Sequence, residues 1–441
     1  MPQLFTSVTT LTLVVLTLFV SGCSEPHPIV FEPNLVHAMK YQIREEVPME
    51  QASEDAFWVV SEMFGTPDAP TLPTIILEDE ELATVVSMDR LLAASGPADI
   101  PGRGLYRKHC VSCHGVTGDG RGLTAALLNP YPRDYRKGVF KFKSTRRGAK
   151  PTREDLHGLI KNGIPGSAMV AIPELTDEDT DALVDYVIYL SWRGELERTL
   201  MDDAIFELDL EDGDRIINPT GLQSKDEETK ELFEESWELA EDYAIEIAEA
   251  WLEAEDEFVP VPAPPAEIPV PDSYAEYLQM SAGENADALA ASVQRGGELF
   301  VGKIASCGKC HGNQGLGDGQ TTDYDDWTKD WTSGAGLKPE DRESLVPLLA
   351  RGAMTPINAK PRNFRLGVFH GGADAASLYR RITIGIEGSP MPAVTYVSGE
   401  FERDDVWHLI NFIRSLKSDE PVGPSDSAEA PAAADLATAG I

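Results

Sequence analysis

Cys110-Val111-Ser112-Cys113-His114 and Cys307-Gly308-Lys309-Cys310-His311 are the two stretches from which the rest of this chain can be read. Between them they hold four of its five cysteines; the fifth, Cys23, follows an apolar run near the start. Each stretch gathers two thiols and an imidazole within five residues, and no cysteine is left over for a disulfide framework.

Working outward, the two stretches sit in two copies of one pattern. Gly102, Leu105 and Tyr106 precede the first, and Gly296, Leu299 and Phe300 the second. Gly115 or Gly312 follows the histidine, then Gly118-Asp119-Gly120 in one copy, aligned with Gly317-Asp318-Gly319 in the other. Pro132-Arg133-Asp134-Tyr135 through Phe140 matches Pro361-Arg362-Asn363-Phe364 through Phe369. Gly163-Ile164-Pro165-Gly166-Ser167-Ala168-Met169 matches Gly385-Ile386-Glu387-Gly388-Ser389-Pro390-Met391. Each copy closes on a helix, with Leu183, Tyr186 and Leu190 or Leu409, Phe412 and Leu416 on one buried face, since offsets of three, four and seven share a side. The longer stretch between Gly319 and Pro361 is an insertion, which a loop absorbs cheaply because closure entropy grows only as the logarithm of length.

A CxxCH run is the attachment signature of a c-type haem. Two thioether bonds hold the macrocycle and the adjacent histidine faces the iron, so the sixth ligand must come from a separate segment. Met169 and Met391 stand in matching Gly-Ile-x-Gly-Ser-x-Met contexts, and methionine opposite histidine raises the reduction potential. The competing reading of CxxC is zinc, but a structural zinc site wants four nitrogen or sulfur ligands and each motif offers three. Other histidines lack a matched place: His157 corresponds to Tyr379, His109 abuts Cys110, His370 and His408 have no equivalent, and His27 and His37 lie near the start.

In this order of elements the two blocks resemble class I cytochrome c. The resemblance implies an all-α fold in which the first and last helices of each block cross, here at Gly102/Tyr186 and Gly296/Phe412. It also implies two covalently bound haems c, attached at Cys110, Cys113, Cys307 and Cys310, with iron held by His114 and Met169 and by His311 and Met391. Copy two has the family's Met-Pro, Met391-Pro392; copy one has Met169-Val170.

Leu11–Val20 is about half the roughly 20 apolar residues a membrane-spanning helix needs, so it reads as a signal-peptide core. The following Val20-Ser21-Gly22-Cys23 resembles the bacterial lipobox, although the preceding MPQLFTSVTT lacks Lys and Arg. That resemblance implies cleavage before Cys23, its lipidation, and a membrane anchor on the periplasmic side; Ser24 after it points to the outer membrane. The expected organisation is a signal peptide at 1–22 and an N-terminal extension at 23–98 with helices around Met49–Met63 and Leu77–Ala94. A first cytochrome c-like domain at 99–193, an acidic segment at 194–257, a Pro-rich linker at 258–272, a second domain at 273–417 and a disordered tail at 418–441 follow. In the acidic segment Phe233, Trp237, Ala240, Ala244, Ile247 and Trp251 recur at helical spacing, a stripe that covers a domain core.

The net charge is −37, which excludes non-specific nucleic-acid binding. The charge is uneven. Residues 101–153 hold 13 Lys and Arg against Asp119 and Asp134, whereas Glu195–Glu257 holds 24 Asp and Glu against four Lys and Arg. The basic run could dock an acidic redox partner beside the first haem, neutralise haem carboxylates, or pair with the acidic segment. The expected function is electron transfer in a respiratory chain, with redox partner proteins and no small-molecule substrate or catalytic residue. The alternative is a dihaem cytochrome c peroxidase, which needs one iron open to peroxide and acid–base groups beside it.

Overall fold

The computed structural model describes residues 29–418, so the signal segment, Cys23 and the tail beyond Ser418 lie outside the described residues. Within them the regular elements are helices, and the only extended pairings are isolated bridges such as Thr145–Phe258 and Gly163–Val170. The fold is all-α. Among the described residues no helix is long and apolar enough to cross a membrane.

The N-terminal region forms α1 (Leu35–Arg44), α2 (Glu50–Phe64), α3 (Thr74–Glu78) and α4 (Met88–Ala94). The first block forms α5 (Leu105–His109), α6 (Val111–His114), α7 (Arg153–Asn162) and α8 (Asp177–Glu207); the acidic segment forms α9 (Glu227–Leu252). The second block forms α10 (Tyr274–Ser281), α11 (Ala286–Val301), α12 (Gly308–His311), α13 (Asp326–Trp331), α14 (Val346–Leu349), α15 (Ala375–Ile384) and α16 (Asp405–Ser415).

Helix α8 is the spine of the first half. Thr176 and Asp179 close a reciprocal capping box at its start, and Asp177, Glu178 and Asp179 face the positive end of its dipole. The expected boundary at Arg193 falls inside this helix, which continues to Glu207. The reason is burial: Trp192, Arg193, Leu196, Glu197, Leu200 and Met201 are all covered, by α9 and the N-terminal region. Trp192 donates its indole N–H to the Ala244 carbonyl at 3.0 Å, and Glu197 accepts the Asn34 N–H at 2.7 Å. The acidic helix α9 buries Phe233, Ala240, Ala244, Ala248 and Trp251. Trp237 and Ile247 pack at the edge of that core, and Trp251 stands edge-on to Phe140 with ring centroids 5.8 Å apart.

Three local expectations change. The single helix expected over Leu77–Ala94 is broken, because Asp79 takes the N–H groups of Glu81 and Leu82 and Ser87 gives its N–H to Asp185. Helix α1 was not anticipated. Its Val36 and Met39 pack with Leu345 and Leu348 of the insertion, a tertiary partner that nothing local announces. Gly102 makes no crossing, since a Cβ there would meet nothing within 4 Å and the residue precedes the short α5. In the second block the crossing is as expected: a Cβ on Gly296 would lie 2.0 Å from the His408 carbonyl oxygen, and Phe300 and Phe412 pack at 5.1 Å. Only glycine permits that approach.

The Pro-rich segment does not hang free between the blocks. Val259 donates to Ser144 at 2.8 Å, Ile268 is buried in the second core, and the Pro269 carbonyl accepts from Asn411 at 2.9 Å. The basic run, too, has an internal use. Ten of its thirteen cations stand in ion pairs within the chain, including Lys137–Asp330, Lys141–Asp325, Lys143–Glu387 and Arg147–Asp326 across to the second block. Lys150–Glu195 and Arg146–Glu257 reach the acidic segment. The pairing with the acidic segment read from the sequence is thus realised at Lys150 and Arg146, while Lys137, Lys141, Lys143 and Arg147 join the two halves of this chain.

Asp185 is fully buried and accepts from the Ser87 N–H, Arg90 and Arg153, joining α8 to the N-terminal region and α7. Removing its charge leaves two guanidinium groups without their buried counter-ion. Asp185→Asn is expected to lower unfolding free energy by about 3 kcal/mol, read from denaturant midpoints; an unchanged midpoint would show the ion pairs to be idle.

Candidate functional site

Each motif helix ends on a glycine at positive φ, Gly115 and Gly312, both at φ +73°. Counted from the motif histidine, glycines fall at the fourth, sixth and eighth positions in both copies: Gly118, Gly120 and Gly122, then Gly315, Gly317 and Gly319. Their surroundings match one for one. A Cβ on Gly118 would meet Leu190 and Tyr135, and on Gly315 Leu416 and Phe364; on Gly120 the Pro132 carbonyl, and on Gly317 that of Pro361. Gly122 and Gly319 lie against the carbonyls of their own CxxCH helices. The alignment of Gly118-Asp119-Gly120 with Gly317-Asp318-Gly319 is thus corrected by two residues. The shared Gly-Asp-Gly letters had outweighed the geometry.

The histidines are then oriented alike. The Arg133 carbonyl accepts from His114 Nδ1 at 3.2 Å, and the Arg362 carbonyl accepts from His311 Nδ1 at 3.0 Å. Tyr135 stacks on His114 with centroids 4.8 Å apart and Phe364 on His311 at 4.4 Å. The repeated Pro-Arg-Asp/Asn-aromatic motif is the device. Asp134 and Asn363 cap one-turn 3-10 helices, while the N–H groups of Tyr135 and Phe364 bond the Gly118 and Gly315 carbonyls at 2.8 and 2.7 Å. Burial pushes His114 down to about 4 and also lowers His311, so both rings are neutral. With Nδ1–H given to a carbonyl, each Nε2 keeps its lone pair for a metal. Burial raises the Cys110 thiol to about 12 and Cys307 to about 11.

The two methionines sit at the ends of matching turns. Ile164 donates to the Met169 carbonyl at 2.7 Å and Ile386 to that of Met391 at 3.1 Å. Ser167 and Ser389 accept the methionine N–H groups while donating to the Ile164 and Ile386 carbonyls. Each turn is backed by the opposite side of the junction between the blocks. Gly166 (φ +77°) lies against Val368, and its carbonyl accepts from His370 Nε2 at 3.1 Å. Gly388 (φ +72°) lies against Trp327, whose indole N–H bonds the Asp134 carbonyl at 3.3 Å.

A cavity of about 1580 Å³ joins the pieces of the second site, with Cys307, Cys310, His311 and Met391 on its wall beside Phe300, Leu378, Ile382 and Leu409. The apolar residues beside His311 and Met391, with a nitrogen and a sulfur donor on one cavity wall, fit a flat macrocycle held at one edge. In the first copy Cys110, Cys113 and His114 occupy the same helix turn, and Cys113 Sγ lies 3.3 Å from Thr124 Oγ1. Four of the remaining described histidines have other polar neighbours: His37 has Asp202, His157 lies beside Asp181, His408 meets Ser292, and His370 meets Arg362 and Gly166; the fifth, His109, ends α5 next to Cys110. Among the described residues no group of three His, Cys, Asp or Glu side chains gathers as a zinc site requires. Arg133 and Arg362 could have been found as the repeated arginines of the motif. Trp327 and His370 could not, because neither has a counterpart in the first copy.

Residues 100–191 and 293–417 match the family described as Cytochrome c, together just under half of the chain. The two segments are cytochrome c domains, which implies covalently bound haem c and haem-based electron transfer. One solved structure with similarity is a reducing HAO-like protein complex from Kuenenia stuttgartiensis, 21% identical, covering 76% of this chain and 97% of that chain at a TM-score of 0.40. No curated protein matches the chain.

Because Gly388 combines a left-handed backbone with a contact that leaves no room for a Cβ, Gly388→Ala is expected to destabilise by about 1–3 kcal/mol. Denaturation followed by Trp fluorescence reads this; wild-type behaviour would mean the turn is not held by Trp327.

Proposed function

We propose that this chain is an electron-transfer protein with two covalent haems c, one in each cytochrome c domain. Cys110 and Cys113 would carry the first and Cys307 and Cys310 the second; His114 with Met169 and His311 with Met391 would hold the two irons. The observation that carries the reading is the twinned geometry: in both copies a motif histidine held by an arginine carbonyl, and a methionine turn closed by the same three hydrogen bonds. Haem iron supplies one-electron chemistry between its ferric and ferrous states. The residues do the rest. The carbonyls of Arg133 and Arg362 fix ring orientation and tautomer, and the two turns present thioether sulfurs which, as iron ligands, would favour the reduced state and would occupy the position a substrate needs. For that reason a carrier, or the cytochrome subunit of a larger respiratory oxidoreductase working with redox partner proteins, is preferred over a peroxidase.

The same reading places the protein outside the cytoplasm, lipid-anchored through Cys23 on the periplasmic side of a bacterial membrane, with Ser24 favouring the outer membrane. Its support is the apolar run Leu11–Val20 followed by Val20-Ser21-Gly22-Cys23. Mass spectrometry of the mature protein is expected to find an acylated amino-terminal Cys23; an intact leader or an unmodified cysteine would refute the anchor.

A redox titration with optical and EPR detection is expected to find two low-spin centres with the near-red ferric band of Met/His ligation. Met391→Leu should remove that band from one centre and lower its midpoint while leaving the other unchanged. A wild-type protein with lasting high-spin signal and peroxide turnover would instead favour the peroxidase.

A further inference from the structure

One ring touches both candidate sites. Trp327 stands on the wall of the cavity that also holds Cys307, Cys310, His311 and Met391. Its indole N–H donates to the Asp134 carbonyl at 3.3 Å, and the carbonyl just before that one, of Arg133, accepts from His114 Nδ1 at 3.2 Å. A single residue of main chain therefore lies between the bond to the first motif histidine and the bond to the ring. The opposite, six-membered edge of the indole packs on Gly388, in the turn that presents Met391.

The ring is fixed from both sides. The N–H of Asp326, the residue before it, donates to the Gly388 carbonyl at 3.3 Å, and the Asp326 carbonyl accepts from Lys137 Nζ at 3.1 Å. Asp325 caps the helix that carries Trp327 and pairs with Lys141. On the other side Asp134 caps the turn over Tyr135–Lys137, and Arg136 holds its carboxylate. The contacts exist without any movement of one block on the other.

Electron tunnelling weakens steeply across empty space, less through covalent and hydrogen bonds, and least across a conjugated ring. Here an imidazole, a hydrogen bond, one residue of backbone, a second hydrogen bond and an indole follow in series. The other link across the junction is poorer. From the Gly166 carbonyl it passes through His370 to the Arg362 guanidinium, and reaches the carbonyl that holds His311 only along a saturated side chain.

We propose that Trp327 is the relay through which electrons pass between the centre at His114 and the centre at His311. This rests on the two-haem reading above. In each transfer one ferrous iron becomes ferric and one ferric iron becomes ferrous; the indole is neither oxidised nor deprotonated. The insertion that only the second block carries thereby supplies the residue that connects the two domains electronically.

The test uses the full-length, haem-loaded protein in a Met391→Leu background, where the near-red ferric band reports the first centre alone. After pulsed reduction, an electron placed on the lower-potential second centre moves to the first, and the band bleaches in a phase independent of protein concentration. Trp327→Phe keeps a ring against Gly388 but gives up the N–H bond to Asp134, and should slow that phase several-fold. Trp327→Leu removes the ring and should slow it further. In the Phe variant the covalent haem count by pyridine haemochrome and both midpoints should stay as they were, which separates a broken relay from a disturbed fold. An unchanged rate in Trp327→Phe would overturn the relay and leave the haem reading intact, as would a slowing fully accounted for by a changed gap between the midpoints. A parent rate that falls as solvent viscosity rises would also overturn it, since movement of the blocks and not a fixed path would then limit transfer. Should Trp327→Leu fail to hold both haems, the Phe variant decides alone. Fewer than two covalent haems in the wild-type protein would overturn the functional reading, and this proposal with it.

Discussion

Trp327 ties the two blocks together at the point where both sites meet. It belongs to the insertion that only the second copy carries, yet it sits in a cationic seat made by the first, with Arg133 at 3.2 Å, Lys141 at 5.5 Å and Lys137 at 5.8 Å from its ring. Its indole N–H bonds the Asp134 carbonyl, and its far edge packs on Gly388, three residues before Met391. A single aromatic ring therefore touches the peptide next to the one that orients His114 and the turn that presents Met391. Cation–π contacts withdrawn from water are worth more than exposed ones, so this seat is a stronger joint than a surface ion pair would be.

The joint is reciprocal. As Trp327 backs the second methionine turn, Val368 and His370 back the first, and His370 also meets Arg362, whose carbonyl holds His311. Neither site is enclosed by its own repeat. The ion pairs that flank the joint explain the lopsided charge of the chain: a basic run of 101–153 that looks unusual beside a net charge of −37 is answered by Asp325, Asp326, Asp330 and Glu387. Burial alone would raise the Asp330 carboxyl, but Arg198, Lys137 and Lys40 hold it well below the usual carboxylate range. Such a network gains from sharing, because one ordered carboxylate serves three cations.

The N-terminal region and the acidic helix serve the same end from outside. Helix α1 lays Val36 and Met39 on the insertion while Lys40 reaches Asp330, and α9 covers α8 through Ala240, Ala244 and Ala248. Small residues along that stripe bring the helices close enough for Trp192 to reach a main-chain carbonyl of α9. The carboxylates of α9 mostly face water, which keeps the long helix soluble.

What the sequence determined by itself was local. Two CxxCH runs, two Gly-Ile-x-Gly-Ser-x-Met turns and the Pro-Arg-Asp/Asn-aromatic motif are short-range devices whose hydrogen bonds close within a few residues or within one repeat, so their spacing already implied helical, paired sites. The helical stripe of α9 was legible for the same reason, since period alone marks a buried face. Where letters competed with geometry the reading slipped, as at Gly118-Asp119-Gly120, and at Gly102, where a family expectation stood in for a contact that the short α5 cannot make. The tertiary structure alone decided how the repeats face each other, what the insertion is for, and where the basic run goes. Those outcomes depend on pairings such as Arg133 with Trp327 and Gly166 with His370, about 200 residues apart, and no local pattern encodes a partner at that distance.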